Sequence, residues 1–118
     1  MYDKNNIFAK ILRGEIPCNK IFEDQTSLFF NDINPQAKIH ILGIPKFECV
    51  DLKDFIDNAD QETVSAFFKT VSLVIDELNI NETGYRIISN SGINGGQEVP
   101  HFHIHILGGK KLGKIISP

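Results

Sequence analysis

Histidines at positions 101, 103 and 105, within the run HFHIHILGG, are the residues whose type and spacing point most directly to chemistry. The chain has 118 residues and 4 histidines, so chance fills three such alternating positions in only about 0.4% of sequences of this make-up. Alternation with Phe102, Ile104 and Ile106 is a period of two, which predicts a half-buried β-strand. Side chains on a strand alternate between faces, so the apolar three enter a core while His101, His103 and His105 line the opposite face. Gly108 and Gly109 end the strand.

A row of imidazoles supports two chemistries. Neutral histidines can hold a catalytic ion such as zinc. Metal-bound histidine is usually backed by a carboxylate or carbonyl, however, and the strand has no Asp, Glu or Cys, with Glu98 the only nearby acid. The second chemistry is covalent catalysis, with histidine as nucleophile and as general acid or base. Clustering opposes simultaneous protonation, so at least one ring stays neutral and nucleophilic near neutral pH while a neighbour can keep its proton. Phosphoryl or nucleotidyl transfer through a phospho-histidine suits that division. Periodicity alone leaves both chemistries open.

The loop before the strand, Ser91 to Gln97 (SGINGGQ), is glycine-rich and can offer backbone N–H groups to an anion. It is neither a P-loop nor a GxGxxG turn. His40 alone reads as a strand histidine, Asp32 as a turn residue, and Phe8, Ile11, Ile16 and Phe30 as core.

Several elements must position these groups. Ile7, Phe8, Ile11 and Leu12 form one stripe of a short helix over residues 5–13, capped by Asn5 or Asn6 and closed by Gly14 and Pro17. Strands are predicted at Lys20–Glu23, Ser27–Asn31, Lys38–Ile44 and Tyr85–Ser89, and Pro100 sits where the histidine strand can begin. Residues 48–59 read as irregular with at most one helical turn. The longest periodic segment is Asp60–Leu78, a helix whose start carries a capping-box pair, Asn58 with Gln61. Five strands and two main helices, bunched rather than alternating, predict an α+β fold on an antiparallel sheet within one domain spanning 1–118. The tail, Lys110–Pro118, is basic and partly apolar and is expected to pack on a partner subunit.

Bulk properties bound the function. A net charge of −3, a pI near 5.7 and only two arginines, Arg13 and Arg86, disfavour nucleic acid and anionic membranes as partners. Cys18 and Cys49 form no CxxC, so a reducing cytoplasm is expected. No leader or membrane-length apolar run is present.

Taken together, the motifs resemble a known family. HFHIHILGG is similar to the H-x-H-x-H-x-x signature of the histidine triad (HIT) superfamily, and its Gly-Gly resembles the Hint branch of purine nucleoside phosphoramidate hydrolases, bacterial type. IFAKILRGEIP at 7–17, IFED at 21–24, FFNDINPQAKIH at 29–40, IPK at 44–46, GYRIISN at 84–90 and GGQEV at 95–99 follow in the family's order.

The resemblance implies a homodimer whose two five-stranded sheets join into one. It implies that His103 attacks the α-phosphorus of a nucleoside 5′-phosphoramidate, that His105 contacts phosphate and assists proton transfer to the departing amine, that His101 orients the nucleophile through its carbonyl, and that His40 completes the cluster. Asp32, beside Asn31, would bind ribose. Ile7, Phe8, Ile11, Ile16, Phe30 and Ile33 would form the purine slot, and Asn90, Gly96, Gln97, Glu98 and Val99 the phosphate and leaving-group side. No cofactor and no metal are implied. Asn31 stands where animal members usually have His, Glu98 where they have Ser, and Pro100 replaces a usual aromatic. The alternatives are a dinucleoside polyphosphate hydrolase, or a nucleotide-binding or interaction module with weak activity.

Overall fold

The structure, a computed structural model, describes residues 1–116. Strand β1 (Lys20–Glu23) and strand β2 (Ser27–Asn31) form a hairpin pinned by Asp24. One Asp24 carboxylate oxygen accepts from the Thr26 and Ser27 backbone N–H groups and both hydroxyls. The other accepts from Thr70 on the long helix and so ties turn to helix. Strand β3 (Ile39–Pro45) pairs antiparallel with β2, placing Phe29 opposite Gly43. A Cβ at Gly43 would lie 2.4 Å from a Phe29 ring carbon, so only glycine lets that ring lie across β3.

The chain then leaves the sheet through helix α2 (Leu52–Asn58) and helix α3 (Gln61–Leu78) and returns as β4 (Tyr85–Ile88) and β5 (Ile104–Gly108). All pairings are antiparallel in the order β1-β2-β3-β5-β4, so the last strand inserts into the sheet between β3 and β4. The histidine segment is thereby brought to the middle of the molecule.

Each face of the sheet is covered. On one, Phe29, Ile41, Ile104 and Ile106 pack with Phe102 against Phe55, Phe67, Val71, Val74 and Ile75 of α2 and α3. On the other, Leu28, Phe30, Leu42 and Ile44 pack with Phe8 of helix α1 (Ile7–Leu12), whose start is capped by Asn6 accepting from the Ala9 N–H.

The α+β antiparallel fold is the one expected, with local differences. Residues 52–58 form a full second helix. Asp51 caps it by accepting from the Asp54 N–H while Asp54 accepts from the Val50 N–H, but only Phe55 is buried, so no apolar period marks it. The cap of α3 is Asp60, accepting from the Thr63 N–H; Asn58 belongs to α2, where its amide donates to Asp54. Strand bounds move by one residue at β3 and β4. More consequentially, β5 begins at Ile104, not near Pro100. The Phe102 N–H donates to the Cys49 carbonyl, which takes the upstream segment out of the ladder although its side chains keep alternating. In the tail, the Arg86 guanidinium donates to the Gly113 and Lys114 carbonyls; the last two residues lie outside the described part.

Candidate active site

Register decides which histidines meet. His105 stands opposite Leu42 on β3 and His40 opposite Leu107, so His40 and His105 are diagonal neighbours on one face. Their rings are 5.1 Å apart between centroids, and the His105 ring is 5.2 Å from that of His103. Phe8 of α1 meets the His103 ring edge-on, with ring centroids 4.9 Å apart.

The histidine face is not the half-open surface that alternation predicts. His40 and His103 are buried and His101 is wholly inaccessible, because α1 and the segment before it cover this side of the sheet. Burial is also the largest cause acting on all four imidazoles, ahead of mutual repulsion. It lowers His40, His101 and His103 below the usual 6.5 and, with His103 and His40 adding repulsion, His105 to about 4. Near neutral pH burial therefore holds all four rings of the free protein toward their neutral forms.

Their roles are divided by tautomer instead. The His103 Nδ1 lies 2.7 Å from the His101 carbonyl, which can only accept, so Nδ1 carries the proton and Nε2 is a bare lone pair. For His40, Nδ1 accepts from the Gln36 backbone N–H at 3.0 Å, so its proton sits on Nε2. That N–H donates to the His105 Nδ1 at 2.9 Å, which leaves the His105 proton on Nε2. Backbone groups thus produce, on neighbouring rings, one nitrogen able to attack and one able to donate a proton.

His103 and His105 border a cavity of ≈ 530 Å3. Ile7, Phe8, Ile11, Ile16, Phe30 and Ile33 give its lining an apolar part, and Asn31, Asp32 and His40 a polar one. Asn90, Gly96, Glu98 and Val99 also line it. All the site residues inferred from the sequence line this cavity except two. His101 lies behind His103, and the Gln97 amide donates to the Val50 and Val99 carbonyls, which makes it a brace for the loop. Sequence reasoning missed Pro17, Cys18, Asn34 and Leu42 on the walls and Gln36, which acts through its backbone and leaves no side-chain signature. No lysine or arginine lines the cavity among the described residues.

The glycine loop also differs from expectation. The N–H groups of Gly92, Gly96 and Gln97 donate within the loop, and Asn90 ties it by donating to the Gly95 carbonyl. These N–H groups are not offered to an anion. Gly96, with φ of +73°, makes the turn that the closure requires.

A carboxylate does stand beside the histidines, which corrects the sequence-based reading that Glu98 is the only nearby acid. Asp32 lies 3.4 Å from the His40 Nε2, and ligand atoms of Asp32, His40 and His105 fall within 4.8 Å of one another. A cation held by the His40 Nε2 would move the ring proton to Nδ1, where it would face the Gln36 N–H, donor against donor. The hydrogen-bonded chain is the better use of these groups.

A central-strand histidine cluster opening on a mixed apolar and polar cavity defines an α+β protein with a histidine-lined site for a small molecule. The chain belongs to the HIT domain family, which matches residues 13–112. It is 50% identical over 116 residues to a 13.2 kDa HIT-like protein of Azospirillum brasilense, covering 98% of this chain and 95% of that one. It is 36% identical over 114 residues to the purine nucleoside phosphoramidase of Escherichia coli (strain K12), covering 97% and 95%. Among solved structures, a histidine triad protein from Clostridium difficile superposes with a TM-score of 0.87 at 43% identity, covering 98% of this chain and 100% of that one.

Proposed function

We propose that this protein hydrolyses purine nucleoside 5′-phosphoramidates to the nucleoside monophosphate and an amine, without a metal or other cofactor. The observation that carries the reading is the pair of opposite tautomers, a bare Nε2 on His103 beside a protonated Nε2 on His105. Beside the bound anionic phosphorus group His105 takes up a second proton; the His103 Nε2 then attacks the α-phosphorus as the P–N bond breaks, and the departing nitrogen takes the His105 Nε2 proton, which leaves that ring neutral. The amine leaves neutral, and the nucleotidyl-histidine keeps its Nδ1–H on the His101 carbonyl, which stabilises the positive ring. The neutral His105 then removes a proton from water, whose oxygen attacks phosphorus as the bond to His103 breaks. Both histidines return to the states from which the attack began.

The apolar part of the lining suits a base held by its faces, and Asp32 and Asn31, in the same lining, offer polar groups for ribose hydroxyls. With Asp32 and Glu98 in the lining and no lysine or arginine there, the cavity suits a phosphorus carrying a single negative charge better than a polyphosphate chain. The similarity to the Escherichia coli purine nucleoside phosphoramidase supports this reading.

We place the enzyme in the cytoplasm as a homodimer with no nucleic-acid or membrane partner. Edge strand β4 exposes Tyr85 and Ile87, and α3 exposes Phe68 and Leu73, a surface suited to a second copy. No helix among the described residues is long and apolar enough to cross a membrane.

Rapid-quench mass spectrometry with an adenosine phosphoramidate tests the mechanism. A nucleotidyl adduct on His103 in wild type and none in His103→Ala is expected. Full turnover by His103→Ala would refute it, and faster cleavage of a diadenosine polyphosphate would transfer the protein to the alternative hydrolase class.

A further inference from the structure

The first turn of the chain reaches the triad at His101, the histidine that does not line the cavity. The Tyr2 hydroxyl lies 2.6 Å from the His101 Nδ1, and the two rings meet edge-on with centroids 5.6 Å apart. On the other side of the same ring, Nε2 donates to the Pro45 carbonyl at 2.8 Å. A carbonyl cannot donate, so Nε2 carries the His101 proton and Nδ1 can only accept, which makes the Tyr2 hydroxyl the donor. Burial raises the Tyr2 phenol above its usual value, which keeps that proton in place.

Tyr2 is itself held. Asp3 accepts from the Asn5 N–H through its side chain and from Asn6 through its carbonyl, and Arg13 donates to the Lys4 carbonyl at 2.8 Å. Asn6 in turn caps α1, the helix that presents Phe8 to the His103 ring. Cap, turn and tyrosine therefore form one unit against the triad.

We propose that Tyr2 is a positioning residue: by clamping the His101 ring against Pro45, it fixes the His101 carbonyl that holds His103 in its attacking tautomer and orientation. This rests on the proposed function of His103. Attack on phosphorus requires Nε2 within a narrow range of distance and direction, so a loosened carbonyl lowers the fraction of productive rings without weakening substrate binding. Asn6 and the ring contact alone would not do this, because neither sets the donor on Nδ1.

The test compares wild type with Tyr2→Phe, which keeps the ring and removes the hydroxyl, and Tyr2→Leu, which removes both. Steady-state kinetics on an adenosine phosphoramidate and 15N spectra of the histidine rings are recorded for each. Tyr2→Phe is expected to lower kcat about fivefold, the kinetic equivalent of one ordinary hydrogen bond, with KM within about twofold. Its His101 Nδ1 signal should move to that of an unprotonated nitrogen with no donor. A kcat within about twofold of wild type overturns the proposal, as does an unmoved Nδ1 signal; loss only in Tyr2→Leu assigns Tyr2 to packing and also overturns it. Should Tyr2→Phe not fold, the wild-type spectrum decides, since a His101 Nδ1 without a donor excludes the clamp. A wild-type chain that turns over no phosphoramidate overturns the proposed function instead, and the nitrogen signals then judge Tyr2 alone.

Discussion

Burial of uncharged histidines makes this fold sensitive to mild acid, in a window that lies mostly above the range where carboxylates titrate. His105 is the clearest case, with a folded value of about 4 against 6.5 for the free side chain. A ring whose folded value is depressed takes up its proton more readily in the unfolded chain, so stability is full above 6.5 and is lost as pH falls below it toward 4. Between about pH 7 and about pH 5 the folded ring stays neutral while the unfolded one becomes charged, a loss of about 2 kcal/mol from this residue. Glu23, held down to about 2 by Lys20 and Lys46, is lost to titration only further into acid. Urea denaturation at the two pH values, for wild type and His105→Asn, separates the contribution. The variant should lose about 2 kcal/mol less on acidification, with an unchanged urea slope. Equal losses in both proteins would refute the assignment of a half-buried, neutral His105.

Other outcomes follow from the same geometry. The acid limb of kcat/KM should lie below 6.5, because the His103 Nε2 must be unprotonated to attack and burial lowers its pKa; a limb above 6.5 in the pH profile would contradict this. Turnover should survive dialysis against a chelator, measured beside untreated enzyme. Gly43→Ala sets a methyl 2.4 Å from Phe29 and should destabilise by about 1–3 kcal/mol in thermal or urea unfolding. Thr70→Val removes the donor that joins α3 to the second oxygen of Asp24 and should cost about 1–3 kcal/mol, whereas a surface change such as Lys53→Gln should leave stability nearly unmoved.

Much of the molecule is legible in residue order. The β1–β2 hairpin, the α3 stripe from Val64 to Leu78 and the alternation of Phe102, Ile104 and Ile106 each announce themselves, because period and turn chemistry are local. Helix α2 is not legible because it buries one side chain, and the cap of α3 is ambiguous in residue order because Asn58 and Asp60 are equally suitable by type. The HFHIHILGG run is enough to mark a cluster, and with the surrounding motifs enough to suggest its family. Sequence alone could not settle protonation. Whether a histidine is charged depends on what covers it, and here that cover is α1 and Tyr2, roughly a hundred positions away. Which nitrogen bears the proton depends on the carbonyls of His101 and Pro45 and the N–H of Gln36, groups every residue has and no sequence pattern distinguishes. The sequence determined which residues are present to do the chemistry; burial and backbone hydrogen bonding, which exist only once the chain has folded, decided which of them attacks and which donates.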